Sequence, residues 1–149
     1  MMLGAYDGRN GKPADVFRRQ EETWRRAYAA ASRLHERFPK LELLVIDLTF
    51  IDVRRMGRFS PQMRSFSGSA KAFFAIACPR TLCLDGGFDL DPIVLAMLST
   101  KATTSNGTLE CGGWMDPTRA ENTRCLLRVH YRLGARYNAP KASTPKRRA

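Results

Sequence analysis

Histidine is nearly missing from this sequence: His35 and His130 are the two in 149 residues. A catalytic pair built on either has no supporting pattern around it. Acids are scarce as well, with 14 Asp and Glu against 25 Lys and Arg, a net charge of +11 and a pI near 10.2. That imbalance favours a polyanionic partner: nucleic acid, an acidic protein or an anionic membrane surface. No long apolar run is present. The greasiest stretch, LELLVIDLTFI from Leu41 to Ile51, carries Glu42 and Asp47. It is too short for a bilayer, which takes about 20 apolar residues. The opening MMLGAYDGRNGKPADV lacks the apolar core of a secretory signal. The expected location is therefore cytoplasmic, where thiols stay reduced and cysteines serve metals or buried packing before disulfides. Catalytic motifs are missing too. GRNGK has neither the spacing nor the Ser or Thr of a phosphate-binding loop, and no G-x-S-x-G or H-E-x-x-H occurs. No enzyme is expected.

What is there begins with a flexible, glycine-rich N-terminus over residues 1–12. A helix–strand unit is expected over 13–52. Pro13 suits a first helical turn, and Pro39 stops a helix ending near Arg37. Phe17, Trp24, Tyr28, Ala31, Leu34 and Phe38 share one face of that helix, opposite a stripe of Arg19, Arg26, Arg33 and Arg37. The stripe is either a solvated back or a phosphate-tracking surface. Leu41 to Asp52 reads as a strand, apolar on both faces and so buried in a sheet under the helix. Residues 53–71 hold five Lys or Arg and no acid, and read as a basic loop. KAFFAIAC is a further strand, and DLDPIVLAMLSTK a short helix with Asp91 as N-cap and Pro92 at its first position. TLECGGW and RCLLRVHYRLGARY form a hairpin. The end, residues 138–149, reads as a disordered basic tail. The expected fold class is α+β: a long N-terminal helix packed on a strand, then an antiparallel sheet with one short helix.

Cysteine carries the sharpest signal. Cys78 and Cys83 are close enough to share one turn, and two thiolates of one turn grip the same ion in structural zinc sites. Cys111 and Cys125 are expected to meet across the hairpin. Gly86-Gly87 and Gly112-Gly113 allow backbone amides to approach the sulfurs and permit positive φ. On the last strand Cys125, Leu127, Val129, Tyr131 and Leu133 share one face, while Arg128, His130 and Arg132 take the other. His130 therefore points away, and the expected site is structural zinc held by Cys78, Cys83, Cys111 and Cys125. Inert buried thiols, disulfides and iron are the other uses of such a set.

The strings CPRTLC, DGGFDL and CGGW, with Cys125 before an alternating strand and FPKLELLVIDLTF upstream, resemble a group of small bacterial proteins of no established function. The resemblance spans residues 38–137. It implies a zinc-ribbon-like four-cysteine module over 72–137 and brings no activity with it.

Two binding functions compete. The first is nucleic-acid binding with weak sequence specificity. Arg54, Arg55, Arg58, Arg64, Arg128, His130, Arg132, Lys146, Arg147 and Arg148 would meet phosphates, and Phe59 and Phe66 would stack on unpaired bases. The second is a protein–protein adaptor with an acidic partner, using Phe59, Phe66, Trp114 and Met115 as exposed anchors. One continuous positive surface favours the first; arginines interrupted by acids favour the second.

Overall fold

A computed structural model of the chain describes residues 14–52 and 59–139. The expected flexible N-terminus, the arginines at 54, 55 and 58, and the basic residues from 141 onward lie outside the described residues. The architecture is α+β. Its elements run α1 (Ala14–Ala30), α2 (Leu34–Arg37), β1 (Leu41–Ile51), β2 (Gln62–Phe66), β3 (Ala75–Ile76), β4 (Phe88–Asp89), α3 (Asp91–Ser99), β5 (Thr104–Glu110) and β6 (Arg128–Tyr137). Four strands form one antiparallel sheet in the order β2-β1-β6-β5, and β3 pairs with β4 in a separate ladder.

The single helix expected over 13–37 is two. Between α1 and α2 the backbone turns its hydrogen bonds sideways, onto the segment at 68–72. Ala72 N–H donates to Ser32 O, Leu34 N–H to Ala70 O and His35 N–H to Gly68 O. Those groups are lost to the i→i−4 ladder, so the helix ends. Glu36 then caps α2 by accepting from Arg33 N–H at 2.9 Å. The arginine stripe breaks with the helix. Arg33 reaches Ser69 O, and Arg37 turns inward to a two-pronged pair with Asp91 at 2.9 and 2.7 Å.

β1 is buried on one face, through Leu44, Ile46, Leu48 and Phe50, and its alternate residues Asp47, Thr49 and Ile51 are exposed. It lies between β2 and β6, so the stretch expected as a helix–strand unit and the C-terminal stretch share one sheet. Among the described residues, only the buried face is covered. There Leu127, Val129 and Leu133 meet Phe74, Ile76, Phe88, Leu90, Val94 and Met97, brought in by the 72–90 segment and α3. α1 rests against that same segment, with Trp24 and Tyr28 edge-on to Phe73 at 5.8 Å. The carbonyls of Ala29, in its last turn, and of Ala31, just beyond it, accept from the Lys71 ammonium, a cation where the helix dipole favours one.

Other expectations need correction. The second half of the basic loop is an edge strand: Gln62–Phe66 pairs with Leu48 to Leu44 of β1. The strand read in KAFFAIAC shrinks to Ala75–Ile76. Asp91 is the first residue of α3 and Leu90 holds the cap position, with Asp89 Oδ1 accepting from Asp91 N–H at 3.0 Å. The start of the expected tail is tied down, since Asn138 bonds both Lys40 O and Pro39 O at 2.8 Å. Among the described residues no helix is long and apolar enough to cross a membrane.

Candidate metal centre

Three backbone devices assemble the four cysteines. Cys78 and Cys83 bracket a turn closed by Cys83 N–H to Arg80 O at 3.1 Å. The chain then doubles back through Asp85 at φ 54° and Gly87 at φ 137°, left-handed conformations that glycine supplies without strain. Reciprocal bonds between Leu84 and Trp114, at 2.7 and 3.0 Å, fasten this turn to the chain beyond β5. Cys111 and Cys125 are not strand residues facing each other, as expected. β5 ends at Glu110 and β6 begins at Arg128. Beyond them Cys111 N–H donates to Leu127 O at 2.7 Å, and Cys125 N–H to Gly113 O at 2.8 Å. Leu126, at φ 55°, breaks the extended backbone between Cys125 and β6.

The result is one cluster. The four Sγ atoms all lie within 4.8 Å of one another, and this is the one such group of metal-ligating side chains among the described residues. Cys78 Sγ is 3.7 Å from Cys125 Sγ, and Cys83 Sγ is 3.6 Å from Cys111 Sγ. All four cysteines are free of disulfides. Cys83, Cys111 and Cys125 are 3, 1 and 0% exposed, whereas Cys78 is half-buried. Four sulfurs so placed suit a soft, tetrahedrally coordinated metal ion.

The surroundings fit anionic sulfur. Gly87 N–H and Gly113 N–H donate to Cys111 Sγ at 3.3 and 3.4 Å, the amide approach that the paired glycines imply. Gly86 and Gly113 close over the cluster. A Cβ on Gly86 would overlap the Cys83 and Cys111 sulfurs, and one on Gly113 would come within 2.5 Å of Cys83 Sγ and 2.6 Å of Gly86 Cα. Arg80, between the two knuckle cysteines, donates to Cys125 Sγ at 3.1 Å and also to Cys125 O. Its other nitrogen pairs with Asp52 at 2.6 Å, with side-chain exposures of 11 and 4%. Burial works against the Arg80 charge, but the Asp52 carboxylate and the Cys125 sulfur outweigh it and raise its pKa. Hydrogen bonding to Cys111 first, then to Cys125, pushes the Cys78 and Cys83 thiols up; bonds from Cys111, Cys78 and Cys83 push Cys125 down. Gln20 of α1 seals the outside, donating to Cys83 O at 3.3 Å and accepting from Asp85 N–H at 2.9 Å.

Among the described residues, the expected nucleic-acid residues do not form one unbroken positive surface. Arg128, His130 and Arg132 do share the uncovered sheet face and are exposed. However, Arg128 faces Glu110 at 3.6 Å, Arg132 stands opposite Asp47 in register, and Arg136 bonds Glu42 at 3.2 Å. Arg64 lies on the edge strand β2, bonded to Gln62 at 3.1 Å. The aromatic anchors are not free either. Phe66 is 8% exposed against Phe74, and Phe59 packs edge-on to Phe50 at 6.4 Å. Trp114 is held between the guanidinium groups of Arg119 and Arg124, and Met115 packs on the core. Base stacking would need Phe66 to leave the core, or Phe59 to leave its contact with Phe50.

Arg80, Asp52, Gln20 and the sealing role of Gly86 and Gly113 were missed from sequence. Arg80 had a signal, a cation between two metal-ligand cysteines; Asp52 and Gln20 had none, because only the tertiary fold carries them to the cluster. Comparison with known proteins finds no family model, no curated protein and no solved structure that matches this chain.

Proposed function

We propose that this chain is a non-enzymatic module stapled by a structural zinc ion, which binds nucleic acid through phosphate contacts of weak sequence specificity. The cluster of four sulfurs carries the first half of this reading. Four thiolates fill a tetrahedral zinc and leave no position for substrate or activated water, so the ion serves the fold. A reducing, cytoplasmic compartment suits four cysteines kept as ligands.

The second half rests on where the charge lies. Residues 14–52 and 59–139 hold 16 Lys and Arg against 13 Asp and Glu, a nearly balanced body. The other 29 residues hold nine Lys and Arg and one acid, so eight of the eleven excess charges fall there. Polyanion contact then belongs to Arg54, Arg55, Arg58, Lys141, Lys146, Arg147 and Arg148 more than to the sheet. Affinity should fall steeply with salt, and deleting residues 140–149 should flatten the slope by up to about one unit per lost phosphate contact. Binding that is feeble at low salt and indifferent to those residues would overturn the reading.

A protein adaptor is the second reading, favoured by the open sheet face. Its arginines alternate with acids, and Met63 and Ile51 are 69 and 41% exposed on it. Retention of partners by the chain lacking 140–149, and their loss on Met63→Glu, would favour the adaptor.

A further inference from the structure

Access to the sulfur cluster is uneven. Gly86 and Gly113 close over Cys83 and Cys111, and the Arg80 guanidinium lies on Cys125. Cys78 alone is half-exposed. It opens into a cleft of about 730 Å³ between α1 and the cysteine turn, walled by Phe17, Trp24, Arg25 and Leu82; Cys83 also borders this cleft but is 3% exposed beneath Gly86. We infer that Cys78 is a modification site, the one thiolate of the metal centre that small two-electron electrophiles such as peroxides reach, with Cys125 as its resolving partner. The inference rests on the metal reading above.

The chemistry balances with a peroxide as oxidant. The Cys78 thiolate attacks one oxygen of hydrogen peroxide; an S–O bond forms, the O–O bond breaks and hydroxide leaves. The Cys125 sulfur, 3.7 Å away, then attacks the sulfenic sulfur. An S–S bond forms, the S–O bond breaks and a second hydroxide departs, so two thiolates become one disulfide and the peroxide is reduced. The disulfide would leave only the Cys83 and Cys111 sulfurs able to hold a metal that needs four, so a bound ion would be lost. The turn that Gln20 grips through Cys83 O and Asp85 N–H would then be held less firmly, and with it one of the attachments of α1.

The test uses the full chain, purified with its metal, and measures metal content by native mass spectrometry before each reaction. Limiting iodoacetamide should place the first adduct on Cys78, about tenfold ahead of the other three. Limiting hydrogen peroxide should give a Cys78–Cys125 disulfide in peptide maps, with metal released to a chromogenic chelator in step. Glu21→Trp, on the exposed side of α1 at the cleft, should slow both reactions at Cys78 without lowering metal content. A metal-loaded protein whose first adduct falls elsewhere, whose four cysteines react together, or whose Glu21→Trp variant reacts unchanged overturns this inference and leaves the metal reading standing. A protein without metal overturns both.

Discussion

At the scale of single residues, the cluster depends as much on missing side-chain atoms as on the cysteines themselves. Gly86 sits so close to Cys83 and Cys111 that one methyl group cannot be placed there. The obstacles are two buried sulfurs, Cys83 on the closed turn and Cys111 just beyond β5, which cannot swing aside as a surface side chain would. Gly86→Ala should therefore abolish metal binding about as completely as Cys111→Ser, although it removes no ligand. Gly112→Ala is the control, because a Cβ there approaches nothing nearer than Arg124 at 3.8 Å. Metal content by mass spectrometry decides it: a fully loaded Gly86→Ala protein would show that the turn relaxes freely. Asp52 makes a related point. It is the buried charged residue among those described, and it is placed to hold Arg80 against a sulfur. Desolvating such a pair is costly unless its remaining hydrogen-bonding capacity is used, and here Cys125 uses it.

At the scale of elements, α1 differs from the rest of the core. Its aromatic face touches Phe73 and the cysteine turn while Tyr28 stays 52% exposed, so the helix is a cover attached at a few points. Phe74, by contrast, is 1% exposed and meets both Phe38 and Phe66. Phe74→Ala should cost about 3–5 kcal/mol, the usual loss on emptying a core aromatic. Trp24→Ala should cost distinctly less, and Arg26→Ala, on the exposed side, well under about 1 kcal/mol. Urea unfolding of the three variants checks the order. Equal losses at Trp24 and Phe74 would mean that α1 belongs to the core.

At the scale of the whole molecule, the sulfur cluster joins parts that the sheet does not. The turn at Cys78–Cys83, the segments beyond β5 and before β6, and α1 through Gln20 all converge on it. The sign of its pH dependence follows from the thiols. Binding requires thiolates, and in the metal-free cluster bonds to neighbouring sulfurs hold the Cys78 and Cys83 protons above their ordinary pKa. Metal binding therefore expels protons, and acid opposes it. Affinity measured by chelator competition should fall between about pH 8 and pH 6, by roughly one decade per pH unit for each proton released. The thermal midpoint of the loaded protein should fall with it. An affinity that does not change with pH would mean that the thiols are already ionised without metal.

Local rules alone were enough for several features. Alternation in RVHYRLGARY assigned Val129, Tyr131 and Leu133 to the core and Arg128, His130 and Arg132 to solvent, because side chains on a strand point to opposite faces in turn. The same alternation removed His130 as a metal ligand, and the glycine pairs marked where amides approach sulfur. What depends on residues far apart in the chain was decided by the tertiary structure. The 3.6-residue periodicity ran through Ala31–Arg33, yet the backbone bonds there go to residues 68–72 and split the helix. QMRSF reads as part of a basic loop until β1 offers it a paired edge. Phe59 and Phe66, placed among arginines, looked like stacking platforms; burying them against Phe50 and Phe74 removes more apolar surface from water than a solvent-facing ring does. The pairing of Asp52 with Arg80, and of both with Cys125, also needed the fold. Sequence establishes that four thiols are present and roughly how they are spaced. Only the packed chain decides which sulfur meets a guanidinium, which lies beneath a glycine and which cysteine is left partly exposed.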